Sequence, residues 1–179
     1  MTANRSRYDG LSLSASAKRS EDGYSYVASN RQAAANNGGV VQWLVESGNK
    51  TIIVTNRTIS TNGNELEYRA YAGPTVTDKG TLINSGPLNI TQSLPSTVKL
   101  HEAPTVTDKG TPLVPSYMPG ASGRGSTTIG NLYANEQENI LPPNTTLLLE
   151  VKNDGVEDPA QVELYVVWSE VDDKAPFQS

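Results

Sequence analysis

Residues 160–171 read AQVELYVVWSEV, with Val162, Leu164, Val166 and Trp168 at alternate positions and Glu163, Tyr165 and Val167 between them. Period-two spacing puts alternate side chains on opposite faces of an extended chain, so this stretch predicts a long strand with one face in a core. Working outward, the same signal recurs in YSYVAS (24–29), VQWLVES (41–47), KTIIVTNRTIS (50–60), ELEYRAY (65–71), STVKLHEA (96–103), STTIGNLYA (126–134) and NTTLLLEVKN (144–153). These runs are rich in β-branched and aromatic residues, which suit a pleated, half-buried surface. Turn-forming clusters separate them: NNGG at 36–39, SGN at 47–49, TNGN at 61–64 and Asp154-Gly155. The spacer NRQAAANN (30–37) has the composition of a short helical turn, too short to stand as a helix alone. Eight or nine short strands with no convincing helix predict an all-β, antiparallel β-sandwich of the jelly-roll kind. Trp43, Leu66, Tyr68 and Ala70 are expected to face its core, as is Trp168, with Glu67 and Arg69 facing out.

Composition agrees. Ser, Thr, Asn, Gly and Pro supply 75 of the 179 residues, which favours strands joined by turns. The chain is long enough for one core, expected over 23–171. Residues 1–22 are expected to form an extended N-terminal arm, and 172–179 a short C-terminal tail. With no cysteine there is no disulfide, thiolate metal ligand or cysteine nucleophile. A net charge of −5 disfavours general nucleic-acid binding, no stretch has the length of a membrane-spanning helix, and no secretion signal is evident at the N-terminus.

The octapeptide PTVTDKGT occurs twice, at 74–81 and 104–111. Each copy follows a strand-like run and precedes apolar residues, Leu82–Ile83 and Leu113–Val114. Pro74 and Pro104 end ladder pairing. Val76 and Val106 are expected to point opposite to their flanking threonines. Asp78 and Asp108 are expected to bond the backbone two residues on, and Gly80 and Gly110 to take positive φ. The unit predicts a strand corner used on two similarly placed edges.

Chemistry is sparse. The single histidine, His101, precedes Glu102 at a strand end, where the first repeat carries Tyr71. A serine–histidine–aspartate triad is recognised by geometry, not order, but no GxSxG elbow accompanies it, and a half-exposed strand residue is the plainer reading. No calcium-loop pattern organises Asp78, Asp108 or the acidic run NDGVED (153–158), and GRGST (123–127) lacks the lysine and helix of a phosphate loop. The expectation is a chain without catalytic residues, metal or cofactor. Tyr117, in the loop-like PSYMPG, is the exposed aromatic best suited to touch a sugar or a protein. Phe177, the only phenylalanine, follows a proline in the tail and is either a contact anchor or incidental. Arg5, Arg7, Leu11 and Leu13 are the arm residues suited to a partner surface, with Lys18 and Arg19 adding basic charge.

The opening SYVASNRQAAANN…WLVESGNKTIIV, the two strand-to-PTVTDKGT units and the closing LPPNTTLLLEVKN…VELYVVWSE resemble the small accessory virion proteins of tailed bacteriophages, from about Gly23 to Glu170. The resemblance implies a capsid decoration or cement protein. Such a protein is made in the host cytoplasm and carried on the outside of the head, against the major capsid protein or other virion subunits. It also implies a homo-oligomer without nucleic-acid or membrane partners. The alternative it leaves open is a tail- or fibre-associated protein that binds a receptor or glycan.

Overall fold

The computed structural model describes residues 18–20, 22–35, 37–61, 65–91, 94–113, 116–118, 127–129, 139–155 and 159–172. The strands are β1 (Ser25–Ala34), β2 (Val40–Glu46), β3 (Thr51–Thr61), β4 (Leu66–Ala72), β5 (Thr75–Asp78), β6 (Thr81–Ile83), β7 (Gly86–Pro87) and β8 (Lys99–Glu102). They continue as β9 (Thr105–Asp108), β10 (Thr111–Pro112), β11 (Ser116–Met118), β12 (Thr127–Ile129), β13 (Asn139–Leu141), β14 (Thr146–Asn153) and β15 (Ala160–Val171). Several of these are two- or three-residue pieces that periodicity could not register, which is why more strands are present than the eight or nine expected.

One sheet runs β12-β3-β15-β1-β7 with β13 also on β3; the second runs β10-β4-β14-β2-β8-β6 with β11 also on β4. Every pairing is antiparallel. Eight strands, taken in chain order as β1, β2, β3, β4, β11, β13, β14 and β15, stand first-eighth-third-sixth in one sheet and second-seventh-fourth-fifth in the other. That is the double Greek key of a jelly roll. The inward faces meet in one core that includes Trp43, Tyr68, Leu149, Leu164 and Trp168.

Four local expectations are corrected. NRQAA continues β1 as strand because it pairs residue for residue with β15, Asn30 on Leu164 through Ala34 on Ala160. A full ladder overrides weak helical propensity. Residues Lys18–Ser20 form a helical turn rather than extended chain, closed by Asp22 N–H donating to the Lys18 carbonyl and Tyr24 N–H to that of Arg19. Glu67 does not face solvent: it is 3% exposed and bonded by Arg69 Nε at 2.7 Å. His101 is buried at 8%.

One irregularity redirects a side chain. Along β3, Asn56 pairs with Val167 and Val54 with Trp168, leaving Thr55 as an extra residue. Such a bulge switches which face the following residues occupy. Ile52 and Val54 point into the sandwich before it, and Arg57 and Ile59 after it, opposite Val166 and Leu164.

Candidate interaction surface

Residues 73–113 are inserted between the fourth and fifth jelly-roll strands, and the octapeptides lie within them. The copies end on opposite edges of the second sheet, Thr81 in β6 and Thr111 in β10. They pair with each other as the two-stranded ribbon β5–β9, with Val76 opposite Val106, Thr75 opposite Asp108 and Asp78 opposite Thr105. Both valines are half-buried and the flanking threonines exposed. Thr77 Oγ1 donates to the Thr105 carbonyl at 3.4 Å and Thr107 Oγ1 to that of Thr75 at 3.1 Å. Asp78 and Asp108 each accept, at 3.0 Å, the backbone N–H of the glycine two residues on, and Gly80 and Gly110 have φ of 82° and 81°.

The equivalence extends through the second sheet. Thr81 pairs with Glu102, and thirty residues on Thr111 pairs with Ala72, thirty before Glu102. β8 then pairs with β2 and β4 with β14, while β2 and β14 meet at Leu44 opposite Leu148. The order β10-β4-β14-β2-β8-β6 is therefore an internal two-fold, with its axis through Leu44/Leu148 and Val76/Val106. Leu44 and Leu148 are buried although they alternate with the core residues Trp43 and Leu149. They lie on the face that the ribbon covers.

Two ionic latches fasten the ribbon to that face. Lys79 Nζ reaches Glu46 Oε1 at 2.8 Å, and His101 Nε2 stands 3.2 Å from Glu46 Oε2. In the other copy Lys109 Nζ reaches Glu150 at 2.7 Å, Gln42 Nε2 donates to it at 2.7 Å, and Tyr71 O–H approaches it at 3.4 Å. Burial pushes the Glu46 carboxyl up, but Lys79 and then His101 outweigh it and hold the group below the ordinary carboxylate range. His101 Nδ1 has no hydrogen-bond partner in the structure. Among the described residues no group of three or more histidines and carboxylates is placed to hold a metal ion.

Between the two octapeptides the insertion exposes several large apolar side chains. Leu82 on β6 is 54% exposed, and in the loop after β7 Leu88 and Leu94 are exposed and Ile90 is 86% exposed. Asn89 Oδ1 accepts Thr91 N–H at 3.0 Å and Thr91 Oγ1–H at 2.6 Å, closing a turn that presents Ile90 outward. β6 and β7 are edge strands of the two sheets, so this rim joins two sheet edges. Four large exposed aliphatic side chains on one segment make it a candidate contact surface. Strand periodicity does not single out these residues. The available signal is charge: no Asp, Glu, Lys or Arg occurs between Lys79 and Lys99.

Tyr117 falls on β11 opposite Glu67. Arg5, Arg7, Leu11, Leu13 and Phe177 lie outside the described residues. Pro74 and Pro104 follow Gly73 and Ala103, which take φ of 67° and 53° where the chain turns into each strand of the ribbon.

No family model matches the chain, and no curated protein matches it. Among solved structures it aligns with those of infectious bursal disease virus, Gt and Gx strains, at 11% and 10% identity. The alignments cover 84% and 81% of this chain and 41% and 40% of those chains, so it spans about two fifths of their length. TM-scores of 0.18 and 0.14 carry no argument about either fold or role. No helix among the described residues is long and apolar enough to cross a membrane.

Proposed function

We propose that this chain is a structural subunit of a tailed-bacteriophage particle, laid on the outside of the head as a decoration protein. The observation that carries the reading is the charge-free rim of Leu82, Leu88, Ile90 and Leu94, held on an insertion that is itself latched to a rigid sandwich. Burying neutral aliphatic groups against a shell incurs no ion-desolvation cost. A modest contact repeated over a symmetric shell gains through avidity. The sequence resemblance to accessory virion proteins supplies the partner class. Cosedimentation of purified protein with undecorated heads tests the reading: wild type sediments with them, and Ile90→Asp, which touches no core residue, does not. Equal binding by both proteins overturns the assignment of the rim, and binding by neither overturns the head.

A further inference from the structure

The space between the two sheets carries a second feature, independent of the rim and of the proposed role on the head. A cavity of about 300 Å³ opens beside β3, β4 and β13. Its wall draws on both sheets, among them Val54, Ala70, Leu147, Leu149 and Trp168. Leu113 and Ile140, also lining it, are 46% and 56% exposed. Interiors are packed with few voids larger than a water molecule, and an apolar cavity of ~150 Å³ already admits benzene. About twice that volume, walled by aliphatic groups, suits a chain of roughly a dozen carbons.

Among the lining residues a single side chain is charged, Arg57. The Thr55 bulge turns it inward, and its guanidinium lies 4.9 Å from the centroid of the Tyr68 ring. Arg57 has a further partner besides the ring, and a guanidinium, with five N–H donors in a planar fork, can bind more than one group at once. We infer that the cavity binds one free single-chain fatty acid, its alkyl chain between the sheets along Leu147, Leu149 and Trp168 and its carboxylate at Arg57.

Trp168 gives a direct readout. Titrating the full-length protein with dodecanoate should give saturable one-to-one binding, read as a change in tryptophan emission and as the added mass in native mass spectrometry. Ala70→Leu narrows the cavity and should weaken binding about tenfold or more while the protein stays folded. Arg57→Gln should weaken dodecanoate about tenfold and leave dodecanol nearly unchanged, because only the carboxylate uses the charge. Absence of saturable binding overturns the inference, the cavity then being filled by other parts of the chain or closed. Binding unaffected by both variants places the ligand elsewhere and overturns it too. Association with diacyl phosphatidylglycerol vesicles but not with free dodecanoate replaces the fatty acid with a membrane surface, and likewise contradicts it.

Discussion

Tyr71 and His101 occupy the same position in two copies of one structural unit. Tyr71 pairs with Leu148 and faces Glu150, which Lys109 neutralises; His101 pairs with Leu44 and faces Glu46, which Lys79 neutralises. The equivalence predicts that His101→Tyr is tolerated, with its hydroxyl meeting Glu46 as that of Tyr71 meets Glu150. Urea unfolding should place it within about 1 kcal/mol of wild type, whereas His101→Ala should cost about 2 kcal/mol through the cavity left under the ribbon.

The two latches should differ in strength. The Glu150 side chain is 5% exposed against 21% for Glu46. Lys109→Met leaves a buried carboxylate with only neutral donors and should cost about 2–3 kcal/mol, whereas Lys79→Met should cost about 1 kcal/mol or less. Matched denaturation curves of the two variants check the order, and equal losses would show that burial of the glutamate does not decide it.

Gly80 and Gly110 should be intolerant to the same degree. Both have positive φ, and a Cβ would collide with the carbonyl of Glu102 at Gly80 and of Ala72 at Gly110. Replacing either by Ala should destabilise by about 2 kcal/mol or more, as measured by thermal unfolding.

Acid should loosen the first latch. The folded-state carboxyl of Glu46 titrates below its ordinary value of 4.5. Its contribution is therefore fully present above that value and is lost as pH falls through the lower, folded-state one. Stability of wild type minus that of Glu46→Gln should shrink as pH falls below about 4.5, where the carboxylate takes up its proton. A difference that grows as pH falls below about 4.5 would contradict the latch geometry.

The sandwich was legible in the sequence because each long strand buries one face: Val162, Leu164 and Trp168 carry the alternation of β15 directly into the core. The turns inside the octapeptide were equally readable, since Asp-Lys-Gly has a local conformational logic. The ribbon was not, because pairing Val76 with Val106 is a long-range choice that no local pattern encodes. Glu67, Glu150 and His101 were misplaced or passed over for a related reason. Alternation says which face a residue takes, but a face read as solvent can be roofed by an inserted ribbon and fitted with lysines. Arg57 escaped because the bulge at Thr55 reverses parity in the middle of β3. The Ile90 rim escaped because attention to strands hides a loop whose signal is missing charge.

The most direct test of the proposed role is the number of copies of this chain in purified particles of the tailed phage proposed to carry it, counted by quantitative mass spectrometry against the major capsid protein. A decoration role predicts hundreds of copies in fixed ratio to the capsid protein, lost from the head when Leu82 and Ile90 are both replaced by Asp. A count of about a dozen or fewer, unaffected by those replacements, would assign the chain to the tail or to no part of the particle and contradict the account.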